Sequence, residues 1–251
     1  MRTVVIGASS GLGRCIAIGL AQRGASVAML ARRVDKLETA VAEAGGDAFA
    51  VACDVTDGDT CKASIDEAAA KLGGIDALVY APAVGVLTRI EDTTPDQWRR
   101  SFDTNVIGAS TATAAALPHL RESAGRAIFL SSVSASQTAP WPGLGAYAVS
   151  KAALDKMVEA WRVEHPHIGF TRLVVGDCPG GEGDGVTQFT NEWNHDLAVE
   201  LGTQWVQKGL IAGCFIDIED LTSAVDSVIR AGASVSMPSV IVTPRPLEAA
   251  Q

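Results

Sequence analysis

Two residues four apart, Tyr147 and Lys151 in Gly145-Ala146-Tyr147-Ala148-Val149-Ser150-Lys151, have the types and spacing needed for proton transfer. On a helix, positions i and i+4 share a face. The spacing therefore sets an ammonium beside a phenol whose ordinary pKa is about 10. A neighbouring positive charge favours the phenolate, so the expectation is a Tyr147 pKa drawn down to where the group exchanges a proton. Chance alone produces Tyr-x-x-x-Lys often. This pair stands about 140 residues after a Gly-rich turn suited to a dinucleotide, which gives it weight.

That turn is Gly7-Ala8-Ser9-Ser10-Gly11-Leu12-Gly13, between a short β-branched run and a helical pattern over about 12–23. Gly7 permits the tight turn, Gly11 lets the backbone approach a pyrophosphate, and Gly13 lets the helix pack close to the sheet. The helix N-terminus adds free amides and a positive dipole. Ser9, Ser10 and Leu12 complete the candidate cradle. The bland alternative is a merely tight strand–helix connection. At the end of the second strand, where a chain preferring NAD places an acid for the ribose 2′-hydroxyl, this one has Ala31-Arg32-Arg33. Two guanidinium groups suit a 2′-phosphate, so NADP(H) is expected ahead of NAD(H). Asp54, after the third strand, is a candidate for the adenine amino group or for turn chemistry before the next helix.

The elements that must position these groups alternate in type. Strands are predicted at 3–6, 26–31, 48–53, 77–80, 127–130, 170–175 and 240–243, with amphipathic segments between them. Near-continuous apolar strands separated by helices imply a parallel sheet covered on both faces. The expectation is α/β: a single doubly wound Rossmann-type domain over 1–251, with a central sheet of about seven strands. Thr94-Pro95-Asp96-Gln97 reads as a capping box with Pro at the first helical position, and Trp98, Phe102 and Val106 then mark a buried stripe. Gly45-Gly46 and Gly73-Gly74 are expected to close two other helices. Only 176–213 breaks the alternation. Excursions of this length are usually lids, so it is read as a substrate loop.

Composition excludes several classes. A net charge of −9 and pI near 4.9 argue against general affinity for nucleic acid. Apolar runs are strand-sized, so no membrane span is expected, and the first strand begins too early for a signal peptide. The five cysteines are scattered without metal-ligand spacing, which predicts no metal site and reduced thiols in a cytoplasm.

Taken together, the motifs resemble the short-chain dehydrogenase/reductases of about 250 residues. The likeness runs from Gly7-x-x-x-Gly11-x-Gly13 through Asp54-Val55, Asn105 in Thr104-Asn105-Val106-Ile107-Gly108, Ser131-Ser132, Tyr147-x-x-x-Lys151 and Pro179-Gly180. The resemblance implies an oxidoreductase interconverting a carbonyl and an alcohol on a small molecule, with hydride supplied by the nicotinamide. It implies that Tyr147 is general acid or base, that Lys151 lowers its pKa and holds the nicotinamide ribose, and that Asn105 holds a water in the proton path. A serine would orient the substrate oxygen. The family's usual spacing selects Ser134, whereas the strand-ending pattern selects Ser132, which is preferred because a loop accepts insertions more readily than a strand end. Val55, Ala81, Pro179 and Gly180 join the cofactor contacts, and a homodimer or homotetramer is implied.

Two departures stand out. The family's Asn-Asn-Ala-Gly after the fourth strand is replaced by Tyr80-Ala81-Pro82-Ala83, removing amides that would brace the sheet. The stretch from Gly176 to Gly185 holds five glycines in ten residues, and Thr187 falls late for the hydroxyl that follows the family's Pro-Gly. Trp141, Phe189, Trp193 and Trp205 flank the expected pocket, which suits an apolar or aromatic substrate and equally suits core or interface packing. A regulator that binds NADP(H) without chemistry is the alternative from another class.

Overall fold

The computed structural model describes residues 1–245. In chain order it contains β1 (Arg2–Ile6), α1 (Gly11–Gln22), β2 (Ser26–Ala31), α2 (Val34–Ala44), β3 (Phe49–Ala52), α3 (Gly58–Leu72) and β4 (Ala77–Tyr80). Next come α4 (Pro95–Phe102), a π-helical segment (Asp103–Ile107), α5 (Gly108–Ser123), β5 (Arg126–Ser132), α6 (Val133–Ser136), α7 (Gly145–Glu164) and β6 (Gly169–Val175). The chain continues with α8 (His195–Gln207), α9 (Ile218–Ile229) and β7 (Ser239–Val242). Residues 246–251, the end of the expected domain, lie outside the described residues.

All seven strands pair in parallel in the order β3-β2-β1-β4-β5-β6-β7. The order reverses between β1 and β4, so the loops after these strands diverge and open a crevice at their carboxyl ends, where α/β sheets bind ligands. Apolar side chains alternate between the two faces. Val5, Val27 and Met29 pack with Ile16, Leu20, Leu37, Leu221 and Val225 of α1, α2 and α9. Val4, Ile6 and Leu30 pack with Ile65, Ala112, Ala116, Leu154 and Val158 of α3, α5 and α7. This two-sided burial explains why the strands read as unbroken apolar runs.

The helix ends follow local chemistry. Thr94 and Gln97 form both bonds of the capping box, at 3.3 and 2.9 Å. Gly45 and Gly73 cap α2 and α3 at positive φ. The expected stripe of Trp98, Phe102 and Val106 is corrected: these are half-buried, and the buried positions are Ser101 and Asn105. The π segment inserts an extra residue per turn here and rotates that face inward.

The 176–213 excursion is not a featureless loop. Gly180 and Val186 bridge in antiparallel fashion across a short hairpin, and α8 follows with Leu201 and Trp205 buried against Leu87 and Leu144. The Asp177 carboxylate accepts from the Ala212 amide at 3.1 Å, and its carbonyl accepts from Ile216 at 2.9 Å. The excursion is thereby closed at its base.

Candidate active site

A cleft of about 1110 Å³ runs along the carboxyl ends of the strands from Gly7–Gly13 and Arg32–Arg33 to Ser132, Tyr147 and Lys151. Asp54, Val55, Ala81, Ser134 and Pro179 also line it. The structure therefore brings the two candidate ends into one groove.

At the first end, Gly7 has φ +84°, and a Cβ there would sit 2.9 Å from the Pro82 nitrogen. A Cβ at Gly13 would collide with the carbonyl oxygen of Gly7, so α1 packs as close as the sequence implied. The N-cap Ser10 makes no side-chain cap bond, and the first turn of α1 has no acidic residue. A helix start of this kind leaves amides and positive dipole free for an anion. Arg33 reaches back over the turn, donating to the hydroxyls of Ser9 at 3.0 Å and Ser10 at 2.6 Å. These observations fit the phosphates of a dinucleotide. Asp54 Oδ1 accepts from the amide and hydroxyl of Thr56 at 3.0 and 2.7 Å. Its burial disfavours the charge, yet those bonds outweigh it and hold the carboxyl below its usual range. The turn role is real; Oδ2 receives no bond among the described residues.

Thr187 is a residue whose place the long spacing obscured. Its amide donates to Pro179 at 2.8 Å, and its Cα lies 3.3 Å from where a Gly11 Cβ would be. The extra glycines form the hairpin and return Thr187 to the turn, beside Gly180. Lys36 of α2 bonds Asp184 in that hairpin at 2.6 Å.

At the second end, Tyr147 and Lys151 lie on one face of α7, with the ammonium 5.9 Å from the centre of the phenol ring. Lys151 is 2% exposed and donates to the Leu130 carbonyl at 2.6 Å. Burial pulls its pKa down to about 8, while Asp155 supports the charged form. Tyr147 departs from expectation. Burial pushes its phenol up to about 12, with the Ser132 hydroxyl acting in the opposite direction. The ring of Phe189 stands edge-on at 4.7 Å and helps to exclude water from the phenol.

Ser132 ends β5 and caps α6, its Oγ accepting from the Ser134 amide at 3.2 Å and lying 3.0 Å from the Ser134 hydroxyl. Ser132 is the serine that acts on the phenol, and the more buried Ser134 backs it. Asn105 is fully buried in the π segment. Its Nδ2 donates to the Val84 carbonyl and to Ser150 Oγ, both at 2.9 Å, and its Oδ1 accepts from the Val84 amide at 2.8 Å. Both side-chain N–H groups and the side-chain oxygen are thus committed, and the amide clamps the Val84 backbone.

Tyr80, a departure from the resembled pattern, has its own bracing function. Its buried hydroxyl donates to the Thr104 carbonyl at 2.5 Å and ties β4 to the π segment. Beyond Tyr147 and Lys151, Phe189, Trp193, Trp205 and Trp141 form a chain of ring contacts at 5.3–5.9 Å. Trp193 and Trp205 are fixed by bonds to the carbonyls of Gly85 and Pro142. His195 is exposed and does not line the cleft. Among the described residues no group of three His, Cys, Asp or Glu could hold a metal, and no helix is long and apolar enough to cross a membrane.

Known proteins share this architecture. The short chain dehydrogenase family profile matches residues 2–199. An 11-beta-hydroxysteroid dehydrogenase-like protein of Arabidopsis thaliana is 38% identical over 69% of this chain and 58% of its own length. A glycine betaine reductase of Emericella nidulans is 30% identical over 96% of this chain and 18% of its own. The chain thus spans less than two thirds of the length of these curated relatives. The fold matches that of an alcohol dehydrogenase from Thermococcus sibiricus, at TM-score 0.78 and 21% identity, over 96% of this chain and 94% of that one. The chain belongs to the short-chain dehydrogenases, a family of nicotinamide-dependent oxidoreductases acting on alcohol and carbonyl groups of small molecules.

Proposed function

We propose that the protein interconverts a carbonyl and an alcohol with NADP(H), Tyr147 exchanging the proton. The observation that carries this reading is the buried Lys151 on the Tyr147 face of α7, in the same groove as an uncapped, glycine-rich helix start. When bound, the nicotinamide supplies or accepts the hydride. Gly7, Ser9, Ser10, Gly11, Leu12, Gly13 and Thr187 would hold the pyrophosphate, Arg32 and Arg33 a 2′-phosphate, Asp54 and Val55 the adenine, and Ala81, Asn105, Pro179 and Gly180 the remainder. Tyr147 Oη donates a proton to the carbonyl oxygen in reduction and removes it in oxidation. Ser132 orients that oxygen, and Lys151 keeps a positive charge beside the phenol.

The aromatic wall favours a flat, apolar substrate, in keeping with the hydroxysteroid dehydrogenases among the relatives. Half-buried Trp98, Phe102 and Val106, with exposed Ile107 and Val149, supply a face for a second copy and support a homo-oligomer. An acidic, thiol-containing chain without paired cysteines suits a cytoplasm.

A panel of steroid, aromatic and aliphatic ketones with NADPH, and the matching alcohols with NADP, tests the reading by absorbance of the reduced nicotinamide. Turnover that Tyr147→Phe lowers at least ~100-fold supports it. Tight NADPH binding with no turnover across the panel would favour a regulator instead.

A further inference from the structure

Behind the catalytic pair lies a buried polar seam. Asp155 stands one further turn along α7, so Tyr147, Lys151 and Asp155 occupy i, i+4 and i+8 on one helical face. Asp155 is 4% exposed, and neither of its carboxylate oxygens finds a hydrogen-bond partner among the described residues. A carboxylate in that setting needs a counter-charge, because burying an unpaired ion is costly. Two cations face it. Lys151 comes from its own helix, and Arg172 of β6 lies 3.6 Å away while also facing Glu159 at 3.5 Å. Ser131 of β5 adds a hydroxyl. Lys151 in turn faces the Tyr147 ring and donates to the Leu130 carbonyl of β5, with Asp155 one turn further along α7.

We propose that Asp155 is a positioning residue whose buried carboxylate keeps Lys151 charged beside Tyr147. The proposal rests on the reading of Tyr147 and Lys151 given above. Lys151 has lost the water that would stabilise its ammonium, and one carbonyl replaces only part of it. Asp155 supplies the missing negative charge from the side away from the cleft, where it blocks neither substrate nor cofactor. Burial pushes the Asp155 carboxyl up, and the Ser131 hydroxyl, Arg172 and Lys151 oppose it. The helix spacing thus sets two charges, Asp155 and Lys151, in a line that ends on the Tyr147 phenol.

The chain has six lysines, so the Cε resonances of lysine-labelled protein are few, and Lys151→Met identifies the one that matters. The expected result is a Lys151 midpoint about one pH unit or more lower in Asp155→Asn than in wild type. Asp155→Glu should restore it. The high-pH limb of carbonyl reduction should move by the same amount in the same direction, which a merely structural role would not produce. If Asp155→Asn does not fold, Asp155→Ser is read in the same way. An unmoved midpoint overturns the proposal, even with Tyr147→Phe inactive. Turnover surviving in Tyr147→Phe would overturn the reading beneath it instead.

Discussion

Ser132 and Ser134 are two residues apart and share a hydrogen bond, yet their chemistry differs. Ser132 stands at the strand end beside the phenol, while Ser134 is packed beneath it in α6. On the proposed reading, removing the first takes away the hydroxyl that orients the substrate oxygen, and removing the second loosens its support. Ser132→Ala should therefore lower kcat/KM by about 10²–10³-fold, and Ser134→Ala by roughly tenfold or less, in steady-state reduction assays. The pH dependence also belongs to single groups. Tyr147 is held protonated to about 12, so the group that titrates near neutrality is Lys151, at about 8. A lysine is charged below its pKa, so ammonium is lost as pH rises through that value. Carbonyl reduction should fall with a midpoint near 8, and Lys151→Arg, which does not titrate there, should abolish that limb at whatever rate remains. A limb unchanged in Lys151→Arg would assign it elsewhere.

The elements show why some residues could be read from the sequence and others could not. Strands, the Gly7–Gly13 turn and the Tyr147–Lys151 face were legible because each depends on local periodicity or spacing. The clamp that Asn105 makes on Val84 was not, because it depends on a π segment that places its amide against a distant loop. Thr187 was hidden by an insertion that only its folded hairpin cancels, and α8 by the glycines around it. Tyr80 looked like a loss because its partner, the Thr104 carbonyl, is 24 residues away. The π segment is testable as an element. Asn105→Ala leaves the Val84 amide and carbonyl without partners, at a cost of about 1–3 kcal/mol for a buried group. Hydrogen exchange at the Val84 amide should accelerate accordingly, while the amides of β1 and β2 keep their protection. Equal acceleration throughout would mean a global loss of stability and not a local clamp.

Across the whole molecule, a net charge of −9 contrasts with the two cations, Arg32 and Arg33, that line the cleft beside the start of α1. An acidic protein repels a polyanionic cofactor at long range, so its affinity must come from local contacts that survive screening. Arg33 is the most specific of them, since it already bonds Ser9 and Ser10. A 2′-phosphate offers it a charge-assisted bond that a 2′-hydroxyl cannot match. Ligand binding to the native state raises the unfolding midpoint by mass action, so thermal shift reads affinity without a substrate. Arg33→Ala should weaken NADPH by about 10–100-fold, the equivalent of one charged hydrogen bond, and should leave the NADH shift nearly unchanged. Equal losses for both cofactors would place Arg33 among the structural supports of the turn, and the choice between NADP and NAD would then pass to Arg32 alone.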